Sequence, residues 1–266
     1  MRLCSIASGS SGNCIYVGSE ATHLLVDVGI SGKKTENGLK ELGLSGKDID
    51  GILITHEHSD HIQGLGVMAR KYEIPIYATA GTIKAMKNCD GLGAVEESLF
   101  HEVKEDMKFT LKDLTVNPMR ISHDAAQPVG YRIVYGRKKV AICTDLGVYN
   151  EYTVECLKGM DALLLEANHD VNMLQVGPYP YKLKQRILGE RGHLSNENTG
   201  RLLCRILHDN LRTILLGHLS KENNLPELAY ESVRMEINMG DTPYKAGDFD
   251  IRVAKRSELT PIVTIS

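Results

Sequence analysis

The segment Thr55-His56-Glu57-His58-Ser59-Asp60-His61 sets three imidazoles and a carboxylate within six residues. With ten histidines in 266 residues, such a spacing arises by chance on the order of once in a thousand sequences of this composition. Imidazole and carboxylate are preferred ligands of borderline divalent ions, and a loop leaving a buried strand turns several of them toward one point. Glu57 and Ser59 alternate with these groups and are expected to point away. A closed structural site would need nothing more, yet three further candidates follow apolar runs: His123 after Leu114–Ile121, Asp145 after Val140–Cys143, and His218 after Thr213–Leu216. Residues at strand ends can converge above one edge of a sheet. Seven potential ligands exceed what one ion needs. A divalent ion lowers the pKa of water toward ~7, and two ions ~3.5–4 Å apart stabilise both attacking and leaving oxygens, so the chemistry indicated is hydrolysis near neutral pH.

The elements that would position these groups follow from periodicity and punctuation. Leu3–Ala7, Cys14–Val17 and Leu24–Val28 read as short strands, with the turn Ser8-Gly9-Ser10-Ser11-Gly12-Asn13 between the first two. Ser31 caps a helix to about Leu42, closed by Gly43, and Gly51–Thr55 is a buried strand feeding the histidine-rich loop. His61–Tyr72 reads as a helix, Ile74–Ala78 as a strand before a helix from Thr79. Met107–Ile121, Val129–Tyr135 and Val140–Cys143 form a second group of strands, with a hairpin turn at Gly136-Arg137-Lys138. Beyond a strand at Ala162–Glu166 comes a basic, Gly- and Pro-containing segment, Val176–Gly192. A helix from about Ser195 to His208, the strand Thr213–Leu216, a helix from Pro226 and terminal strands near Phe249–Ala254 and Pro261–Ile265 complete the chain. No repeat or long linker interrupts it, so one domain spanning 1–266 is expected, built as an α/β fold with two packed sheets flanked by helices.

Composition narrows the function. At 42% hydrophobic and 24% charged residues the chain is an ordinary globule, and its net charge of −3 gives no global attraction to nucleic acid or anionic membrane. Polyanion binding must then use a local patch. The opening Met-Arg-Leu-Cys-Ser-Ile-Ala-Ser-Gly-Ser has no secretory signal pattern, and no stretch reaches the ~18 apolar residues of a membrane span, so a cytoplasmic protein without a membrane partner is expected. Cys4, Cys14, Cys89, Cys143, Cys156 and Cys204 lack C-x-x-C spacing and read as free thiols.

The motif His56-x-His58-x-Asp60-His61, with His123, Asp145 and His218, resembles the metallo-β-lactamase-fold hydrolases over nearly the whole chain. The resemblance implies a four-layer αββα sandwich with two divalent ions (Zn or Mn, with Fe also compatible) at one rim. It implies that His56, His58 and His123 hold one ion, that Asp60, His61 and His218 hold the other, and that Asp145 bridges them, with an intervening hydroxide as nucleophile. His58 stands where the oxygen-reducing branch of that fold has Glu, which counts against redox iron chemistry.

A second histidine motif, Gly192-His193-Leu194-Ser195, precedes a helix, an order that resembles the nuclease branch, including tRNase Z enzymes. By that resemblance the non-ligand His193 contacts the scissile phosphate and protonates the leaving oxygen, with Glu166 of Glu166-Ala167-Asn168-His169 behind it. His169 is a spare candidate ligand should His218 not serve. Lys182, Lys184, Arg186 and Arg191 fall within ten residues, beside Tyr179 and Tyr181, a composition suited to phosphates and unpaired bases. The turn residues Ser8, Ser10, Ser11 and Asn13 offer donors to a terminal phosphate, and Lys33 and Lys34 extend that path. Taken together, Ala7–Cys14, Thr55–His61 and Gly192–Glu197 resemble the bacterial YycJ/WalJ family. The implied activity is 5′-to-3′ exonucleolytic cleavage of double-stranded DNA, with Asp60, His193 and Glu166 in the catalytic apparatus and RNA as a second substrate class. No β-CASP insertion stands between Asp145 and His218. The competing expectation is hydrolysis of a small-molecule ester, thioester or lactone, which needs an enclosed pocket and no basic groove.

Overall fold

A computed structural model describes residues 1–89 and 91–266. Strands β1 (Arg2–Ala7), β2 (Cys14–Gly18), β3 (His23–Val26), β4 (Gly51–Leu53), β5 (Ile76–Thr79) and β6 (Phe100–Val103) form one seven-stranded sheet with β14 (Val263–Thr264), in the order β14-β1-β2-β3-β4-β5-β6. Strands β7 (Phe109–Leu111), β8 (Leu114–Arg120), β9 (Val129–Tyr135), β10 (Lys138–Cys143), β11 (Ala162–Glu166), β12 (Thr213–Gly217) and β13 (Asp250–Val253) form the other, ordered β13-β12-β11-β10-β9-β8-β7. Each begins as an antiparallel meander and continues parallel, through β3-β4-β5-β6 in the first and β10-β11-β12-β13 in the second.

Alternation along the strands explains the layers. Leu3, Ile15, Val17, Leu24 and Val26 meet Val140, Ile142, Leu164 and Leu215 in a core between the sheets. The intervening Cys4, Ile6, Tyr16 and Leu25 face the helices α1 (Gly32–Glu41), α2 (Ser59–Ile62), α3 (Leu65–Tyr72) and α4 (Ala80–Lys87). On the second sheet Ala141, Leu163, Leu165, Ile214 and Leu216 face α5 (Glu151–Leu157), α8 (Asn196–Cys204) and α9 (Pro226–Met239), while α6 (Val171–Val176) and α7 (Tyr181–Leu188) lie between β11 and α8 in the chain. Strands buried on both faces read as unbroken apolar runs, as Ala162–Leu165 does. The architecture is the αββα sandwich.

Several boundaries differ from the sequence expectation. His61–Tyr72 is two helices, because Gly64 brings its backbone against the 28–30 segment, its N–H donating to Val28 O at 2.8 Å. The Met107–Ile121 run folds back as the β7-β8 hairpin around Lys112 and Asp113. The 176–192 segment contains α7, and the helix expected to reach His208 ends at Cys204. Periodicity gave no sign of β6, α5 or α6.

Candidate functional site

Parallel strands deliver their C-terminal ends to one rim, and the chemistry-bearing residues gather there. The His56–His61 loop leaves β4, His123 follows β8, Asp145 follows β10, Glu166 ends β11 and His218 follows β12. Asp27, Asp145 and His218 all adopt left-handed backbone, with φ of 60°, 60° and 55°. Such conformations cost of order ~1–3 kcal/mol each and persist where the surroundings over-determine them; Asp and His are among the types that tolerate them. Gly29 is required by packing: a Cβ there would lie 1.6 Å from Asp60 O.

Two sets of candidate ligand atoms result. In the first, His58 Nδ1 lies 3.1 Å from His56 Nε2 and 3.2 Å from His123 Nε2. The ring's other nitrogen is engaged in both partners, His56 Nδ1 with Thr55 Oγ1 at 3.0 Å and His123 Nδ1 donating to Gly192 O at 3.1 Å. Three imidazole nitrogens therefore face one another with too few protons to bond them all. Their spacing approaches the about 3.3 Å between ligands of a tetrahedral ion with bonds of ~2.0–2.1 Å. In the second set, Asp60 Oδ2 lies 3.5 Å from His61 Nε2 and 3.2 Å from His218 Nε2.

Asp145 stands between the sets. Its Oδ2 is 3.2 Å from His61 Nε2, and its Oδ1 is 3.5 Å from His218 Nε2 and 3.8 Å from His123 Nε2. Oδ2 is buried without a hydrogen bond. An unsatisfied buried carboxylate oxygen and converging imidazole lone pairs are what a cation would resolve, so the donor set fits divalent metal. The groups His56-His58-His123 and Asp60-His61-His218 each bring their ligand atoms within 4.8 Å of one another.

A buried outer ring orients these ligands. Asp27 Oδ2 accepts from His61 Nδ1–H at 2.7 Å, while the Thr55 N–H and hydroxyl donate to the same carboxylate, each at 2.8 Å. Glu166 Oε1 accepts from His218 Nδ1–H at 2.9 Å and from His193 Nδ1–H at 2.7 Å, and Oε2 accepts from Leu146 N–H and Leu194 N–H. These bonds leave Nε2 of His61 and His218 directed at the candidate centre.

Electrostatics divides the site. Burial, reinforced by His61 and His123, holds His56 well below its ordinary value, and burial lowers His123. Burial opposes charge on His218 too, but Asp145, Asp60 and Glu166 outweigh it and push the ring up to about 10. Burial would raise Glu166, yet His193 and His218 bring it down to about 2. The carboxylate-rich half thus carries protons that a divalent ion would displace.

The structure brings His56, His58, Asp60, His61, His123, Asp145 and His218 together, with His193 and Glu166 beside them. His193 is stacked on His218, ring centroids 5.4 Å apart, and its side chain is 14% exposed. The spare ligand His169 joins none of the ligand groups among the described residues; it is buried next to Ser195. Glu57 points away as expected, accepting from Ala126 N–H.

The expected nucleic-acid contacts divide. Ser8 and Asn13 are buried supports: Ser8 Oγ accepts from His218 N–H at 2.9 Å, and Asn13 Nδ2 lies 3.2 Å from His61 Nε2, so neither side chain faces solvent. Ser10 and Ser11 remain exposed at the tip of that loop. Of the basic segment, Lys182 is exposed, Lys184 Nζ donates to Gln175 O, and Arg186 forks onto Asp124 at 2.5 and 2.9 Å. Asp27 was missed because it sat inside a run read as strand; a carboxylate interrupting Leu24–Val28 was the available signal.

A family profile described as Beta-lactamase superfamily domain matches residues 22–218. Exodeoxyribonuclease WalJ of Streptococcus pneumoniae serotype 2 (strain D39) is 41% identical over 260 residues, covering 98% of this chain and 96% of the relative. Exodeoxyribonuclease YycJ of Bacillus anthracis is 44% identical over 228 residues, 86% of each chain. The metallo-beta-lactamase fold protein YhfI from Bacillus subtilis superposes with a TM-score of 0.71 at 16% identity, over 97% of this chain and 98% of that one, a likeness of fold alone. With the ligand geometry above and relatives matched from end to end, the chain belongs to the beta-lactamase superfamily, in the group of its relatives WalJ and YycJ.

Proposed function

We propose that the chain is a metal-dependent exodeoxyribonuclease that shortens double-stranded DNA from its 5′ ends, with RNA a second strand type for the same site. The observation that carries the reading is the pairing of two candidate ligand triads across Asp145, beside a histidine that neither triad uses. Near-full-length relatives named exodeoxyribonucleases support the choice of DNA.

In this reading His56, His58 and His123 would hold one divalent ion and Asp60, His61 and His218 another, with Asp145 adjoining both sets. Zn, Mn or Fe in those places supplies an activated water and neutralises charge on the scissile phosphate. The protein's part is orientation and proton traffic. Glu166 fixes His193 through Nδ1–H, and among the described residues Nε2 has no protein partner, so that atom faces the substrate side and delivers a proton to the leaving oxygen. Asp27 and Glu166 keep His61 and His218 in the tautomer that offers Nε2. Asp60 presents the rim's half-buried carboxylate, and of the basic segment Lys182 stays exposed toward a duplex, while Lys184 is bound to Gln175 O and Arg186 is paired with Asp124.

The test is digestion of 5′- and 3′-labelled duplexes by protein supplied with Mn or Zn. Stepwise loss of the 5′ label is expected, with His193→Ala losing turnover while retaining metal. Intact DNA under every metal condition, or hydrolysis confined to small esters, would overturn the reading.

A further inference from the structure

Most cations near the rim are already engaged. Arg186 is paired with Asp124, Lys184 is bound to Gln175 O, and Arg191 Nε donates to His123 O at 3.1 Å. Arg256, in the loop after β13, is also tethered, but to segments that adjoin the candidate ligands. Its Nη2 donates to Leu219 O at 2.7 Å and its Nη1 to Ser11 Oγ at 3.2 Å. Among the described residues it forms no ion pair, the neighbouring Glu258 being held by Lys255 at 2.8 Å.

The guanidinium lies against the Ser8–Asn13 loop. A Cβ on Gly9 would stand 2.7 Å from Arg256 Nη1 and 3.2 Å from Leu219 O, so the loop packs closely against the guanidinium. The base of this loop is fixed to the candidate centre through Ser8 and Asn13, and Leu219 directly follows His218. Arg256 therefore holds a set position beside the ligands. It also separates two open clefts of about 470 and 660 Å³, the first bordered by Leu219 and Lys221, the second by Ser11 and Lys34. Partial burial works against its charge, so an arriving anion meets a cation that water screens incompletely.

We propose that Arg256, with the exposed hydroxyls of Ser10 and Ser11 and flanked by Lys34, binds the terminal phosphate of the DNA strand being shortened. The proposal rests on the nuclease reading and supplies its end recognition. A guanidinium fork matches two phosphate oxygens, and the Ser11 hydroxyl, accepting from Arg256, keeps its own proton to donate to a third. The four residues come from three separate segments, the turn before β2, α1 and the loop after β13, so the fold assembles them.

The test compares duplexes ending in 5′-phosphate and 5′-hydroxyl. Binding is read by fluorescence anisotropy on chelator-treated protein, and turnover on the Mn-supplied chain. The wild type is expected to bind the phosphate-ended duplex about 10-fold or more tightly. Arg256→Ala removes that preference and raises KM about 10- to 100-fold with kcat nearly unchanged, whereas Arg256→Lys restores part of it. Unchanged urea midpoints confirm that both variants fold. A wild type indifferent to the end group, an alanine variant that keeps the preference, or equal weakening toward both duplexes overturns the terminal assignment while DNA cleavage continues. A chain that neither cuts nor binds duplex DNA overturns this proposal and the nuclease reading together.

Discussion

Replacing Glu166 with Gln tests the arrangement at its most connected point. The wild-type carboxylate is fully buried and accepts four N–H groups: two imidazole Nδ1–H on Oε1, two backbone N–H on Oε2. A glutamine offers one accepting oxygen and one donating nitrogen, so two of the four donors face an NH₂. Each buried donor left without an acceptor costs ~1–3 kcal/mol, giving about 2–6 kcal/mol for the pair. Linkage leads to a similar figure. Glu166 is depressed from 4.5 to about 2 in the folded chain, and each unit is worth ~1.4 kcal/mol, so the carboxylate contributes about 3 kcal/mol. That contribution is complete above the unfolded value of 4.5 and is lost as pH falls toward 2. The gap between wild type and Glu166→Gln should then shrink below pH 4.5. The rings have one escape, switching to the tautomer that accepts at Nδ1. That relieves the clash but protonates Nε2 of His218 and removes it as a ligand. Urea unfolding of metal-free protein, paired with calorimetric titration of Mn, separates the branches: either the midpoint falls or metal affinity does. A variant unchanged in both measurements refutes the reasoning.

Three further outcomes follow from the same geometry. Asp27→Asn sets an amide against His61 Nδ1 and should weaken metal binding about 10- to 100-fold in the same titration, with the fold retained by circular dichroism. Treatment with EDTA should lower the melting temperature, and Mn or Zn at 100 times its dissociation constant should restore ~2.7 kcal/mol; a melting curve indifferent to chelator would remove the metal centre from the account. His169 is buried with Nε2 unbonded, and burial lowers it to about 4. A base depressed in this way leaves the unfolded chain binding more protons between 6.5 and 4. Stability should therefore drain away as pH falls through that window, by about 3 kcal/mol, and His169→Phe should flatten the urea midpoint against pH.

The candidate ligands were legible because their types and spacing are rare, and the strands because burial on both faces leaves unbroken apolar runs such as Ala162–Leu165. Ser31 and Thr79 mark helix starts for a local reason, each accepting from the N–H three residues on. What escaped was set by partners distant in sequence. The basic residues from Lys182 to Arg191 read as one patch, but Asp124, 62 residues before Arg186, neutralises its strongest member. Ser8 and Asn13 read as surface donors because a Ser- and Gly-rich turn usually is surface, and nothing local tells that His218 and His61 close over them.

Backbone conformation was equally hidden, and it bears on how the site is held. Asp27, Asp145 and His218 take left-handed φ within two residues of their strand ends, where a glycine would ordinarily signal the turn. Substituting glycine would relieve that strain and delete the functional group, so here the side chain is retained against the backbone's preference. Each is also clamped: Asp27 by Thr55, Asp145 by contacts to three histidines, His218 by Ser8 at its N–H and Glu166 at its ring. The rim is over-determined before any ion arrives, and this preorganisation is what allows histidines from three separate strand ends to present their nitrogens within bonding distance of common points.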